Sequence, residues 1–251
     1  MKIRSIRMLE DRTGQDRFDG FLELACLTLQ NIYEDGSESK SYACDVVSRP
    51  GSDAVVAVLY DIDGDRVRVV VREAPRAPIY LRRSKTFEHP DPREYLSIHE
   101  VVAGMVEPGD GAGPAGLCRR AAIEAEEEAG FQIDPEDFHV IGGETFASPG
   151  ITDEKLYYCA GSVSTSQRSE PRGDGSVMEE CAELVEFDLG VVIEACRSGK
   201  IPDMKTEIGL LRLADHLGYL PQLDCFVEDL PPQLQSRYRR LGVAAARQES
   251  D

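Results

Sequence analysis

The 251-residue chain predicts an α/β or α+β sandwich, a mixed sheet between helices, preceded by a small antiparallel β unit. Three stretches carry that expectation. Residues 53–72, DAVVAVLYDIDGDRVRVVVR, are two β-branched runs around the turn dipeptide Asp63-Gly64. Residues 103–131 pass from a glycine-rich, proline-punctuated loop into an Ala/Glu-rich segment that stops at Gly130, a helix over 115–129. Two later amphipathic segments, GVVIEACRSGK and KTEIGLLRLADHLGYL, read as helices among strand-like stretches.

Taken in order, residues 1–48 form a β meander: GFLELACLTLQNIY, the turn EDGSESK, and the return strand SYACDVVS. Such a unit is too small for a core of its own and must pack on the rest of the chain or on a partner subunit. In the hairpin that follows, the near-continuous apolar run AVVAVL marks a centrally buried strand. REAPRAPIYLRRS then carries Arg72, Arg76, Arg82 and Arg83, a basic island in an acidic protein. Its guanidinium forks suit phosphate oxygens, or pair with nearby acids. EHPDPREY is a proline-broken loop and SIHEVVAG a short strand into the glycine-rich stretch. After the Glu-rich helix come a turn and strand in FQIDPEDFHVIGGETFASPG, a strand in GITDEKLYYCAGSV, a polar loop in SQRSEPRGDGSVMEEC and a strand in AELVEFDL. The tail breaks at Pro231-Pro232, with a short helix expected in QLQSRYRRLGVAAA. The expected organisation is a meander at 1–48, a main domain at 49–215 and a helical extension at 216–251.

With 28 basic against 46 acidic residues, the net charge of −18 argues against nucleic acid or an anionic membrane as partner. The seven cysteines are scattered and form no CxxC pair, as expected of reduced core thiols in a cytoplasmic protein. Four dispersed histidines provide no zinc-site spacing. No apolar run approaches the roughly 18 residues of a membrane span, and MKIRSIRMLEDRTG lacks a signal-peptide core.

The Glu-rich helix is electrostatically odd. Glu124, Glu126, Glu127 and Glu128 crowd its last turn, where the helix dipole favours cations. Glu124, Glu127 and Glu128 also share one face at i, i+3, i+4 and repel one another. Either the face is solvated, or a cation sits among the carboxylates; oxygen-only clusters suit Mg2+ or Mn2+.

Gly104, the five residues MVEPG, Asp110, and a helix ending in Glu124, Glu127, Glu128, Gly130 and Phe131 together resemble the Nudix box, whose usual form is GX5EX7REUXEEXGU. HEVVAGM resembles the lead-in, and FASPGITDEKLYY the follow-on segment, of ADP-ribose and nucleoside-diphosphate-sugar pyrophosphatases. The similarity spans residues 20–215. There are departures: Ile123 stands where the box has arginine, Asp110 replaces glutamate, and the stretch from Asp110 to the helix glutamates is five residues longer than usual. Pro149 lies three residues further past the box than in typical ADP-ribose enzymes. Arg120, one turn before Glu124, is placed to supply the missing charge by an i, i+4 pair.

The resemblance implies a Nudix-type α/β/α sandwich with a mixed sheet and a small N-terminal antiparallel β unit that forms an exchanged homodimer. It also implies Mg2+ (or Mn2+)-dependent hydrolysis of the diphosphate of ADP-ribose or a related nucleotide sugar. The alternative it leaves open is a nucleotide-sugar binding protein that no longer turns over. Carried onto this chain, Glu124, Glu128 and the Ala103 carbonyl are the expected metal ligands, with Glu127 a third ligand or an outer group. Glu180 is a further acid near the metals, and Glu179 or Glu180 the candidate general base. Arg49, Arg72 and Arg76 are expected at phosphates or adenine, and Glu100 at the substrate or metal shell. Gly104 and the loop Ser148-Pro149-Gly150 are expected to shape the substrate pocket.

Overall fold

The computed structural model of the chain describes residues 21–173 and 182–238. β1 (Glu23–Leu29) and β2 (Tyr42–Ser48) form a separate two-stranded antiparallel sheet with Glu23 opposite Ser48. β3 (Ala54–Asp63) and β4 (Arg66–Pro75) follow, then one helical turn, α1 (Ala77–Tyr80), and the short strands β5 (Ser97–Glu100) and β6 (Val102–Met105). The long helix α2 (Gly113–Ala129) precedes β7 (Phe138–Val140), β8 (Thr145–Phe146), β9 (Lys155–Ser162) and β10 (Glu183–Asp188). Helices α3 (Leu189–Arg197) and α4 (Met204–Leu217), the small hairpin β11 (Tyr219–Leu220) and β12 (Cys225–Phe226), and α5 (Pro232–Gln235) complete the described chain.

The main sheet runs β10-β4-β3-β9-β7, with β5 on β4, β6 on β3 and β8 on β9. β3 and β9 are parallel and the other pairings antiparallel, so the sheet is mixed. Strand β3 shows why two helical layers cover it. Its alternate residues Val55, Ala57 and Leu59 pack in one core with Cys118, Ala121 and Ala125 of α2. Val56, Val58 and Tyr60 point the other way, into a core with Leu189, Val192, Leu210 and Leu213 of α3 and α4. A strand buried on both faces reads as an unbroken apolar run, which is the AVVAVL signal. The result is an α/β/α sandwich, the architecture expected from the sequence.

Local differences have local causes. The β3–β4 turn uses Gly64 and Asp65, one residue later than the Asp63-Gly64 expectation, because Asp63 still pairs with Arg66. Gly64 takes φ 62°, the glycine-first arrangement of a II′ turn. α2 starts at Gly113, two residues before the expected start, with Pro114 in its first turn, where a missing N–H costs nothing. It ends at Gly130 in the left-handed region, φ 72°, with the N–H groups of Gly130 and Phe131 closing on Glu126 and Ala125.

The largest difference is in SIHEVVAG. The expected single strand is two, broken at Val101, whose N–H goes to the Thr206 hydroxyl (2.9 Å) instead of to a strand neighbour. β5 therefore pairs with β4 and β6 with β3. At the C-terminus the expected helix is limited, among the described residues, to α5; residues 239–251 and 1–20 fall outside them.

The β1–β2 sheet touches the body through the bridge Val47–Thr152 and the Ser48 hydroxyl, which donates to Asp153 at 2.9 Å. Its large apolar residues, Leu24, Leu27, Leu29 and Tyr42 among them, are exposed. No helix among the described residues is long and apolar enough to cross a membrane. The six described cysteines are free thiols, with Cys118, Cys159 and Cys196 buried.

Candidate active site

The face that α2 turns to the sheet is built largely of small residues, Cys118, Ala121, Ala122, Ala125 and Ala129. Small side chains let helix and sheet approach closely. Glu124 and Glu128, one turn apart beside that face, are carried inward until each is only 9% exposed. Both meet the backbone of β6. The Ala103 N–H donates to Glu128 Oε2 at 3.2 Å. The Glu124 carboxylate occupies the space that a Cβ on residue 104 would fill, so only glycine leaves room for it. Ala103, Gly104, Glu124 and Glu128 thus converge on one point.

Buried carboxylates need cationic partners, and arginines provide them. Glu128 forms an ion pair with Arg72 of β4, itself buried. Glu124 faces Arg120 at 3.5 Å, the i, i+4 pair expected from the sequence. Arg120 does more. Its fork grips both oxygens of Asp110, each at 2.9 Å, and its Nη2 lies 2.9 Å from Glu107. Burial would raise the Asp110 carboxyl, but Arg120 and the Glu107 N–H (2.6 Å) outweigh it and hold that carboxyl below its usual range. The lengthened loop is thereby tied to the helix. Arg172 pairs with Glu126 at 3.0 Å, so three arginines answer the repulsion that the helix sequence shows. Arg72 accordingly departs from the basic-island reading, since it is buried against Glu128 while Arg83 is exposed.

A second cluster adjoins the first, because Arg72 of β4 lies opposite Glu100 of β5. Glu100 is 1% exposed and is held by Arg76 and by Lys205 of α4 (2.7 Å). Burial pushes its carboxyl up, but Lys205 and Arg76 outweigh it and leave it below the ordinary value. Lys205 also pairs with Asp203 (3.0 Å), which caps α4 by accepting the Thr206 N–H. Lys205 and Asp203 were not among the residues expected from sequence. Their signal is DMKT, an N-cap aspartate followed by a lysine in a first turn, where the helix dipole disfavours a cation without a carboxylate partner.

A third group lies at the end of the sheet where β3 begins. Arg49 pairs with Glu154 at 2.7 Å. The exposed loop Ser148-Pro149-Gly150 is closed by the N–H groups of Ile151 and Thr152 on the Ser148 carbonyl (2.9 Å each). Ala54 at the start of β3 pairs with Met105 and with Leu156, which brings this group to the same sheet end as Gly104. Glu127 is half-buried, and its carbonyl accepts the Gly173 N–H (2.8 Å). Glu179 and Glu180 lie outside the described residues.

The donor set at the convergence point is hard oxygen: two carboxylates and the adjoining Ala103 carbonyl. Among the described residues no group of three or more His, Cys, Asp or Glu is arranged around a common metal position. Two carboxylates suit Mg2+, which keeps several waters and takes further oxygens from substrate phosphates.

No protein-family model and no curated protein matches the chain. Among solved structures, its fold is similar to that of a protein titled "ADP compounds hydrolase". The two are 12% identical, with 78% of this chain and 91% of that one covered and a TM-score of 0.53. At that identity the likeness is one of fold, a Nudix-like α/β/α sandwich.

Two outcomes are expected from these contacts. Arg120→Lys keeps the charge and loses the fork, and should cost about 1–3 kcal/mol in urea unfolding; a wild-type midpoint would show that the fork does not hold the loop. Lys205→Met should lower stability by a similar, order-of-magnitude amount, about 1–3 kcal/mol, at pH 7. Because the Glu100 carboxyl is lowered in the fold, its stabilising contribution is present above its unfolded pKa and is lost as pH falls through its folded one. The Lys205→Met deficit should therefore narrow below about pH 4, and an equal deficit in thermal melts at neutral and acid pH would contradict the assignment.

Proposed function

We propose that the chain is a Mg2+- or Mn2+-dependent Nudix hydrolase that cleaves the diphosphate of a small nucleotide compound, with ADP-ribose or a related nucleoside-diphosphate sugar as substrate. The observation that carries this reading is the convergence of Glu124 and Glu128 on the Ala103–Gly104 backbone, at the place the box motif assigns to metal. The fold likeness to a protein titled as an ADP-compound hydrolase supports it.

Glu124, Glu128 and the Ala103 carbonyl would hold the ion, which when bound neutralises phosphate oxygens and lowers the pKa of a water. The chain's own groups do the rest. Arg72 and Arg120 hold Glu128 and Glu124 in place. Arg76 and Arg49, both less buried than Arg72, offer guanidinium forks to the two phosphates and the nucleoside. Glu100 fixes Arg76. The exposed loop at 148–150 closes one side of the pocket. The water oxygen bonds to one phosphorus as the bridging P–O bond breaks, giving a nucleoside monophosphate and a sugar phosphate. The water's proton passes to a carboxylate, for which Glu179 and Glu180 are the candidates, with Glu127 a third ligand or an outer group.

The β1–β2 sheet is the homodimerisation element in this reading. Its exposed Leu27, Leu29 and Tyr42 share one face of the sheet, which a second copy would cover, and Leu24 lies on the other face.

Phosphate release from a nucleotide-sugar panel with Mg2+ or Mn2+, coupled to a phosphatase, tests the activity. At least one member should turn over, and Glu128→Gln should lower kcat by about 100-fold or more with the fold retained. Ligand binding by calorimetry with no turnover on any member would favour a nucleotide-sugar binding protein instead. Light scattering should return twice the chain mass, and Leu27→Glu with Leu29→Glu should return the monomer. A monomeric wild type would refute the dimer.

A further inference from the structure

The segment between β4 and β5, residues 76–96, is a long connection for neighbouring antiparallel strands. It is not slack. Arg76 at its start donates its N–H to the Leu96 carbonyl at its end (3.1 Å). Arg93 donates to the carbonyls of Gly199 and Lys200 (2.8 and 2.7 Å), fastening the segment to the α3–α4 connection.

Within the segment lies a cleft of about 470 Å3. Of its 12 lining residues four are cationic, Arg82, Arg83, Lys85 and Arg93, and two are anionic, Asp91 and Glu94. The chain as a whole has 28 basic residues in 251 and a net charge of −18. A local excess of positive charge in such a protein is unlike its surroundings.

The guanidiniums are also preorganised. Arg82 lies over the Phe87 ring (4.1 Å) with its fork on Asp91 (3.0 and 2.9 Å). Arg83 lies over Tyr80 (4.0 Å), and its carboxylate neighbour Glu94 is 3.6 Å away and exposed. The Lys85 ammonium has no carboxylate or hydrogen-bond partner among the described residues. A cleft with aromatic floors, fixed guanidiniums and an unmatched ammonium has the chemistry of a phosphate site beside a planar ring.

We propose that this cleft binds a small phosphorylated ligand carrying a planar ring, such as a nucleoside monophosphate, at a position separate from the Glu124–Glu128 cluster. Arg83 and Lys85 contact the phosphate, and the Arg82–Phe87 stack holds the ring. Neither contact requires a metal ion.

Calorimetric titration of the full chain with AMP in the presence of a chelator tests this. Binding is expected, with inorganic phosphate competing and adenosine alone binding more weakly. The double variant Arg83→Ala, Lys85→Ala should bind AMP at least about tenfold more weakly. Because Arg83 stacks on the buried Tyr80, the fold of the double variant is checked by circular dichroism. Lys85→Ala alone, which gives up no such contact, should also bind AMP more weakly while melting at the wild-type temperature. Glu128→Gln should bind AMP as wild type does. The proposal is overturned if AMP gives no heat at millimolar concentration, or if the double variant keeps wild-type affinity. It is equally overturned if Glu128→Gln loses binding while the double variant keeps it. Because no turnover and no metal are involved, the result stands apart from whether the chain hydrolyses diphosphates.

Discussion

Two carboxylates on successive turns of α2 press against one step of β-strand backbone, and much of the surrounding structure follows from what that contact demands. Desolvating two like charges side by side is unfavourable unless each has a cation, and Arg72 and Arg120 fill that need from opposite directions. Close approach of helix to strand demands an alanine-rich helix face and a glycine at position 104. Substituting bulk at either place would move the carboxylates off the backbone, whatever it did for hydrophobic burial. Local stability has been given up at α2's acidic C-terminal turn, and the neighbouring arginines offset it.

The same constraint reaches the opposite layer of the sandwich. Val101 breaks the strand because Thr206 of α4 takes its N–H, and that break allows Glu100 to pair with β4 while Ala103 and Gly104 pair with β3. Lys205, next to Thr206, then completes the charge balance of Glu100. One helix end thus sets both the backbone kink and the carboxylate that fixes Arg76. The site is a product of both helical layers, although the residues expected to do its chemistry lie mostly on one.

The sandwich was legible from sequence where a single local pattern decided the structure. β3 could be read from its unbroken apolar run, and the end of α2 from Gly130. Arg120's pairing with Glu124 followed from i, i+4 spacing alone. What could not be read depended on contacts far apart in the chain. Nothing within SIHEVVAG marks a break at Val101, because the competing acceptor lies 105 residues away. Arg72 looked like its neighbours Arg76, Arg82 and Arg83, because strand register and not residue type sends it into the core beside Glu128. Asp110 looked like a substitute for the box glutamate, and only the folded loop shows it gripped by the Arg120 fork.

Net charge and local charge serve different discriminations here. Screening confines the field of an exposed group to roughly 8–10 Å in physiological salt. A ligand smaller than that senses only the guanidiniums nearest it, and the stretch from Arg49 to Arg83 places several at one end of the sheet and in the cleft beside it. A nucleic acid or an anionic membrane extends well past that distance and meets the −18 of the whole surface. Under the proposed function, an acidic body with a few fixed arginines would admit small phosphorylated molecules more readily than large polyanions. The arginines must be held rigidly for this to work, since a mobile guanidinium would pair with the abundant carboxylates around it. The ion pairs of Arg49, Arg76 and Arg82 with Glu154, Glu100 and Asp91 fix each guanidinium, as the proposed phosphate contacts would require.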